Sequence, residues 1–193
     1  MELLQERIRR EGRVLPGNIV KVDGFLNHRV DTRLLEDIAD EFAKYFDTSK
    51  ITVVLTAEAS GIALATICAQ KYGVPMLFAK KAKSDNIESG LYQSEVFSYT
   101  YKKKVTLLVS KEWLHPGDRV LVIDDFLARG EALRGLCEIV QAADAELVGI
   151  GCAVEKGFQG GGDKLRAAGV NLHSLAIIES AEPGNIVFRE EEA

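Results

Sequence analysis

Residues 120–133 read VLVIDDFLARGEAL, and this stretch indicates the class of fold. Four apolar residues lead into two adjacent acids, Asp124 and Asp125. A short loop then opens a helix, whose expected start holds five residues: Ala128, Arg129, Gly130, Glu131 and Ala132. A continuous apolar strand followed closely by a helix is typical of a parallel sheet covered on both faces.

The same alternation continues on both sides of this stretch. Apolar runs predict strands at 51–56, 75–80, 119–124, 146–154 and 172–178, and a hairpin of strands at 94–100 and 104–110. Helical spacing and capping residues predict helices at 2–11, 61–72, 131–142 and 163–168, and one that begins at Asp31 or Thr32. The sequence therefore predicts one α/β domain over residues 1–193, with a mostly parallel sheet flanked by helices. Ligands bind such sheets at the carboxyl ends of the strands.

The segment after the strand at 119–124 offers groups for both a sugar and a phosphate. Asp124 and Asp125 can accept hydrogen bonds from the vicinal hydroxyls of a ribose. The helix N-terminus presents unpaired N–H groups and a partial positive charge, which suit a phosphate. Small residues at Ala128, Gly130 and Ala132 would let that phosphate approach the backbone. The alternative interpretation is a strand that ends in an ordinary polar loop.

The whole string resembles the signature with which type I phosphoribosyltransferases bind 5-phosphoribosyl-1-pyrophosphate (PRPP). In that family a hydrophobic strand precedes two acids and a phosphate loop. The family's commonest loop carries threonines and an extra glycine where this chain has Arg129, Glu131 and Ala132. Backbone amides must therefore do more of the binding, and Arg129 can supply a cation. Glu131 must point away from a dianionic phosphate or weaken its binding.

The resemblance extends to two further loops. Residues 57–61 (AEASG) match the family's pyrophosphate loop, to which Ala59 and Ser60 belong; a plain helix N-cap at Ser60 is the alternative. Residues 80–92 (KKAKSDNIESGLY) match a loop that closes over the site, where Lys80 or Lys81 would contact pyrophosphate. A solvated loop is the alternative there. Closure would exclude water, which hydrolyses an activated sugar.

Three segments narrow the resemblance to the bacterial xanthine phosphoribosyltransferases. They are residues 22–31 (VDGFLNHRVD), the phosphate string with Phe126 and Leu127 after its acids, and residues 155–165 (EKGFQGGGDKL). The base-contacting asparagine and lysine of that family match Asn27 and Lys156, with Val20 as an apolar wall. Phe158 is a candidate stacking residue, with loop packing as the alternative.

Two positions bear on the choice of base: Lys156 favours an oxopurine, whereas Ala128, which adenine enzymes of the family also have, argues only against hypoxanthine and guanine. Lys156 is a cationic donor that suits the two keto oxygens of xanthine but would face a donor amino group on adenine. Ala128 stands where hypoxanthine–guanine enzymes carry an acid that assists the purine ring. Xanthine is partly anionic near neutral pH and needs less help from a general base.

The resemblance also implies a small hood, formed by N-terminal and C-terminal segments, over the base. It implies Mg²⁺ carried by PRPP, with no dedicated protein cage, and a homodimer. In agreement, the three histidines have no ligand spacing with one another, with a cysteine or with an acid.

Composition argues against several other classes of protein. The formal net charge is -5, from 24 basic and 29 acidic residues, which does not suit a nucleic-acid binder. The N-terminus lacks the apolar core of a signal peptide, and no apolar run approaches the ~20 residues that cross a bilayer. We therefore expect no membrane partner. Three cysteines without metal-ligand spacing are typical of buried free thiols, which indicates a reducing cytoplasm.

Three rival functions remain at this point. One is a related enzyme that acts on guanine, hypoxanthine or adenine. A second is a PRPP-sensing regulator without catalysis, although the residues before Val20 are too few for a DNA-binding winged helix. The third is a structural α/β protein whose sites have decayed.

Overall fold

The computed structural model describes residues 1–82, 90–98 and 103–190. Its strands are β1 (Arg13–Leu15), β2 (Ile19–Lys21), β3 (Val53–Ala57), β4 (Met76–Ala82), β5 (Leu91–Ser98), β6 (Lys103–Ser110), β7 (Arg119–Leu127), β8 (Glu146–Lys156), β9 (Leu172–Glu182) and β10 (Asn185–Phe188). Its helices are α1 (Glu2–Glu11), α2 (Thr32–Phe42), α3 (Gly61–Tyr72), α4 (Glu131–Ala142) and α5 (Gly161–Ala167).

The described residues form an eight-stranded sheet in the order β10-β9-β8-β7-β3-β4-β6-β5. Strands β9, β8, β7, β3 and β4 run parallel to their neighbours, whereas β10, β6 and β5 join antiparallel at the two edges. Strand β3 is buried along its whole length, as expected for a strand covered on both faces. The predicted α/β class and mostly parallel sheet are confirmed.

Strand β7 continues beyond its predicted end. It was expected to stop at Asp124, but it pairs with β8 as far as Leu127 opposite Glu155. Asp124 and Asp125 therefore lie within the strand, a few residues before its end, and not in a loop after it. The extension forms because β8 itself continues to Lys156 and supplies hydrogen-bonding partners.

Three other element boundaries also differ from the predicted ones. Strand β9 continues four residues past the predicted 172–178 because β10, which the pattern does not predict, pairs with it antiparallel. Helix α5 begins at Gly161 and not at residue 163. The predicted strand at 94–100 begins earlier, at Leu91, and its last two positions lie outside the described residues.

The N-terminal region contains two elements that periodicity does not predict. Strands β1 and β2 form a short hairpin, and a π-helical turn follows at Asp23–Asn27. Elements of three to five residues are too short to show a period. Asp31, one of the two predicted caps, begins α2 by accepting a hydrogen bond from Leu34 N–H at 3.3 Å.

The N-terminal segment packs against the edge of the sheet that holds β9 and β10. The α-amino group of Met1 donates to the carbonyl of Leu175 on β9 at 2.7 Å, and α1 and β1 contact the same strand. The N-terminal hairpin and the C-terminal strands thus form one unit, which holds the π turn near the carboxyl end of β7. None of the helices in the described part of the chain has the length and apolar composition that crossing a membrane requires.

Candidate active site

Asp124 and Asp125 lie near the carboxyl end of β7, with only 8% and 1% of their surfaces exposed. The N–H of Asp125 donates to Oδ1 of Asp124 at 3.0 Å. Both carboxylate oxygens of Asp125 accept side-chain hydrogen bonds, from Ser60 Oγ at 2.8 Å and from Asn27 Nδ2 at 2.7 Å. Asp125 therefore connects β7 with the start of α3 and with the N-terminal π turn.

Asp124 is electrostatically unusual. Burial, followed by the neighbouring charge of Asp125, raises the pKa of Asp124 well above its ordinary value, while the positive charge of Lys81 acts in the opposite direction. A carboxyl group that is neither well solvated nor fully paired by the protein is suited to a ligand that brings its own hydrogen-bond donors.

We expect Asp124→Asn to stabilise the protein at neutral pH. Below pH 3.8 the carboxyl is mainly protonated in both the folded and the unfolded chain, so its charge has little effect on stability. As the pH rises, the unfolded chain ionises first, and the wild type loses stability until the raised folded pKa is passed. Asparagine removes that loss and keeps an oxygen for the N–H of Asp125.

Thermal unfolding measured at about pH 3.5 and pH 7.5 tests this, with ~2–4 °C in Tm for each kcal/mol in a chain of this size. The gain in Tm is expected at the higher pH only. An equal or lower Tm for the variant at pH 7.5 contradicts the expectation.

The loop between β7 and α4 borders a cavity of about 360 Å³. The cavity is lined by all five residues of the predicted phosphate loop: Ala128, Arg129, Gly130, Glu131 and Ala132. Gly130 has a φ of +83°, a left-handed conformation that favours glycine, and directly precedes α4. Glycine has no side chain to cap the first amides of the helix, which leaves them to a ligand.

Glu131 has a cationic partner. Arg134 Nη2 donates to its carboxylate at 3.2 Å, and Arg134 also binds Glu138 and the carbonyl of Glu95. The arginine turns the glutamate along the helix and offsets its negative charge beside the cavity. Arg134 was not among the predicted site residues, although its spacing of three from Glu131 on a predicted helix is a signal for such a pair.

The turn between β3 and α3 approaches the two acids. Ser60 directly precedes α3, but its hydroxyl binds Asp125 and makes no cap to the helix backbone, so the N-cap alternative is not supported. At Gly61, an added Cβ would lie 2.9 Å from Asp124 Oδ1 and 2.3 Å from Thr56 Oγ1, so any side chain would collide. Glycine at this position lets α3 begin directly against the acids.

The lysines at the end of β4 occupy different surroundings. Lys81 lines the cavity, and its N–H donates to Glu58 Oε1 at 2.5 Å, whereas Lys80 lies outside the lining. Successive residues of a strand point to opposite faces, so only one of the two can face the cavity. Ala59 is also outside the lining, and most of the predicted closing loop at 80–92 lies outside the described residues.

Lys156 reaches the cavity from the end of β8. Its Nζ lies 5.1 Å from the centroid of the Phe126 ring, and both residues line the cavity. Burial lowers the pKa of Lys156 below its ordinary value. The ammonium group is therefore partly stripped of water and is suited to bind an acceptor on a ligand.

Two other predicted base contacts lie elsewhere. Val20 is 7% exposed and belongs to the hydrophobic core, because the inward face of β2 packs against the domain. Phe158 is 36% exposed, in a 3₁₀ turn at Gly157–Gln159, and lies outside the cavity lining. Asn27 is close to the site, but its amide is bound to Asp125.

The geometry agrees with a comparison of the sequence with known families. A model of the phosphoribosyl transferase domain matches residues 30–166. The chain belongs to the phosphoribosyltransferase family. The matched range contains β3, β4, β7 and β8, which are the strands of the parallel part of the sheet that contribute to the cavity, together with α4.

Named relatives of this phosphoribosyltransferase cover its full length. The xanthine phosphoribosyltransferase of Alkaliphilus metalliredigens is 51% identical over 193 residues, which are 100% of this chain and 96% of the relative. The xanthine phosphoribosyltransferase of Bifidobacterium animalis subsp. lactis is 53% identical over 192 residues, which are 98% of this chain and 100% of the relative.

Solved structures share the fold at low identity. Adenine phosphoribosyltransferase from Giardia lamblia, complexed with 9-deazaadenine, superposes with a TM-score of 0.76 at 23% identity and covers 92% of this chain and 98% of its own. The enzyme of that name from Rhodothermus marinus gives 0.73 at 22% identity, with coverage of 92% and 100%. The predicted phosphoribosyltransferase fold is thereby confirmed.

The cavity has carboxylates but no preformed metal cage among the described residues. Within residues 1–82, 90–98 and 103–190, no group of three His, Cys, Asp or Glu side chains is arranged to hold a metal ion. Carboxylates of Glu58, Asp124 and Asp125 nevertheless border the phosphoribosyltransferase cavity. Hard oxygen donors of this kind fit a Mg²⁺ ion whose other ligands come from substrate and water.

Proposed function

We propose that this phosphoribosyltransferase joins xanthine to PRPP, giving xanthosine monophosphate (XMP) and pyrophosphate in purine salvage. The observation that carries the proposal is the convergence, on one cavity, of two buried acids, a phosphate loop and a desolvated lysine. The full-length similarity to enzymes named xanthine phosphoribosyltransferase supports the choice of base.

Asp124 and Asp125 are the proposed contacts for the ribose hydroxyls of PRPP. Nitrogen N9 of the base forms the new bond to C1 of the ribose through its lone pair, the bond from C1 to the pyrophosphate oxygen breaks, and the proton on the other imidazole nitrogen of the base passes to solvent. Positive charge develops on the sugar in an oxocarbenium-like transition state. Buried carboxylates beside the sugar favour that charge and orient the ring.

The 5′-phosphate is assigned to the loop at 128–132. The amides at the start of α4 and the left-handed turn at Gly130 provide its backbone cradle. Arg129 is exposed on the same loop and brings a cation to it.

The pyrophosphate is assigned to the opposite side of the acids. Its proposed contacts are the amides of Ala59 and Ser60 and the ammonium group of Lys81; Lys80 is the weaker candidate because it lies outside the cavity lining. Mg²⁺, carried by PRPP, would supply charge neutralisation when bound, and the carboxylates that line the cavity, Glu58, Asp124 and Asp125, would offer oxygen donors to it or to its waters. No dedicated protein cage is proposed.

Lys156 is the proposed reader of the keto oxygens, and Phe126 holds its ammonium group in place. Asn27 reads an adjacent edge of the base after releasing Asp125. Val20 then has only an indirect role, as a core residue beneath the N-terminal segment. Phe158 contacts the base only if the turn at Gly157–Gln159 moves toward the cavity. Ala128 provides no acid beside the purine, which suits the readily ionised xanthine.

Assembly as a homodimer and a location in the cytoplasm complete the proposal. Sedimentation equilibrium tests the dimer, and a mass of about 42 kDa, twice the 21.2 kDa of the chain, is expected. Fluorescence microscopy of a tagged chain in its own cells tests the location.

The reaction is tested by release of pyrophosphate in the presence of PRPP and Mg²⁺, with xanthine, guanine, hypoxanthine and adenine supplied separately. The highest kcat/KM is expected with xanthine. A higher value with another base overturns the assignment of the base while keeping the PRPP site. Binding of PRPP without turnover of any base favours a regulator.

Arg134→Gln is expected to raise the KM for PRPP about fivefold, about 1 kcal/mol, with little change in kcat. The change exposes the phosphate to the unpaired charge of Glu131, although solvent at these partly exposed side chains screens the effect. The double variant with Glu131→Gln should regain most of the affinity, because the repulsive charge is then absent. Equal KM values for Arg134→Gln and the wild type contradict the role of this pair.

A further inference from the structure

Glu155 is a fully buried carboxylate that the proposed reaction does not use. It directly precedes Lys156 on β8, and its own surface is 0% exposed. Arg166 of α5 binds both of its oxygens, with Nη1 donating to Oε1 at 3.1 Å and Nη2 to Oε2 at 2.7 Å. Ser174 Oγ of β9 donates to Oε2 as well. Three hydrogen bonds thus hold one carboxylate at the junction of β8, α5 and β9.

The glycines that begin α5 close the space between this carboxylate and the phosphate loop. A Cβ at Gly162 would lie 2.0 Å from Glu155 Oε1, so the helix backbone lies directly against the carboxylate. A Cβ at Gly161 would lie 2.4 Å from the carbonyl oxygen of Ala128 and 2.7 Å from the N of Gly130. The first turn of α5 is therefore wedged between Glu155 and the loop at 128–130.

Through these contacts, the first turn of α5 supports the loop at 128–130. The loop has no threonine hydroxyls to hold a phosphate, so the direction of its backbone amides is decisive. Helix α5 is only seven residues long, so it depends on its packing and on two ion pairs, Arg166 with Glu155 and Asp163 with Arg189, more than on its own hydrogen bonds. A shift of α5 would be passed to the loop through Gly161.

We propose that Glu155 is a positioning residue for the 5′-phosphate: through Arg166 it fixes α5, and Gly161 of α5 holds the loop at 128–130 in its binding conformation. A buried ion pair of this kind adds little to stability overall, since the desolvation of two charges offsets their attraction. Its contribution lies in geometry, because a bidentate arginine pair allows only one orientation of the helix. This inference rests on the proposed function, since it assigns a task within the PRPP site.

The central experiment compares Glu155→Gln with Asp163→Asn. Asp163 is the other carboxylate that binds Arg166, at 3.4 Å; it is half exposed and also pairs with Arg189, so its change removes an acidic partner of Arg166 and leaves Glu155 in place. Glu155→Gln should raise the KM for PRPP at least tenfold and the inhibition constant of ribose 5-phosphate by the same factor. The inhibition constant of pyrophosphate should stay within twofold, because its site lies across the acids. Asp163→Asn should leave all three values within twofold.

A purely structural role predicts a different result: a lower Tm, with the constants for ribose 5-phosphate and pyrophosphate unchanged or changed together. Either form of that result overturns the inference. Should Glu155→Gln fail to fold, Arg166→Lys decides, because it keeps the charge and loses the bidentate geometry. If Arg166→Lys raises the inhibition constant of ribose 5-phosphate but not that of pyrophosphate, the inference is supported. If both constants are unchanged, it is overturned.

The contact with the loop has its own test. Gly161→Ala should raise the inhibition constant of ribose 5-phosphate at least fivefold, because the methyl group of the alanine would collide with the backbone of the loop at 128–130. Lys164→Ala is the control, since Lys164 is an exposed residue of the same helix. Equal effects of the two variants overturn the proposed support. If the wild type shows no reaction with PRPP and any base, the proposed function fails, and that result is distinct from an active enzyme that is indifferent to Glu155.

Discussion

Asp125→Asn is expected to lower kcat/KM for PRPP about 1,000-fold, about 4 kcal/mol. Both oxygens of Asp125 accept hydrogen bonds within the protein, from Ser60 and from Asn27. An asparagine has one acceptor oxygen where the carboxylate has two, so it cannot accept a hydrogen bond at each atom, and a hydrogen bond to a charged acceptor contributes about 1.5–3 kcal/mol. The asparagine also removes the negative charge that favours the cationic sugar of the transition state, and the two effects act on the same step.

The measurement is the initial rate of pyrophosphate release as a function of PRPP concentration. Asp118→Asn is a suitable control, because Asp118 also accepts two hydrogen bonds, from Thr52 Oγ1 and from His115 N–H, but lies at the opposite end of β7. The control should retain most activity. A folded Asp125→Asn enzyme within tenfold of wild-type kcat/KM would remove Asp125 from the catalytic role.

Lys156→Ala is expected to lower kcat/KM for xanthine about 100-fold, about 2.7 kcal/mol. Hydrogen bonds from a charged donor contribute ~1.5–3 kcal/mol, and this donor is partly stripped of water. The preference for xanthine over adenine should fall by a similar factor, because the alanine faces either base without a donor. Lys164→Ala, an exposed lysine on α5, is the control and should leave both substrates unaffected.

The same lysine predicts a pH dependence. Because burial lowers its pKa, the ammonium group is lost at a pH below the 10.5 of an ordinary lysine, and affinity for the keto oxygens falls as the pH rises through that point. Lys156→Arg keeps its charge in this range and should lack that alkaline decline. The pH profiles of kcat/KM for xanthine, measured for the wild type and for Lys156→Arg, separate this effect from ionisation of the base, because that ionisation affects both enzymes equally. Identical alkaline limbs would contradict the assignment.

Much of the architecture was predictable because it depends on local properties. The apolar runs that became β3, β7 and β8 are long and rich in β-branched residues, and the helices around them have clear starts and ends. Gly73, for example, closes α3 in a left-handed conformation at φ +70°, as its position after the apolar helix predicts. Strand ends were less predictable, because the length of β7 depends on how far β8 continues beside it.

The site was predictable only in outline. Paired acids, small loop residues and Lys156 can be recognised from residue types and order, and the structure brings them to one cavity. Val20 and Phe158 show the limit of this reasoning, since one is buried in the core and the other lies on a turn outside the cavity. Whether an apolar residue faces the core or a ligand depends on which surface covers it, and that surface comes from a distant part of the chain.

The sequence by itself thus determined the order of strands and helices and the chemical groups at the ends of the strands, because both follow from neighbouring residues and their periodicity. Only the tertiary structure decided which groups meet. Asn27 and Asp125 are 98 residues apart, and Glu155 binds Arg166 and Ser174 on two other elements. Hydrogen bonds act over about 3 Å, so partners distant in sequence are chosen by the packing of the whole domain.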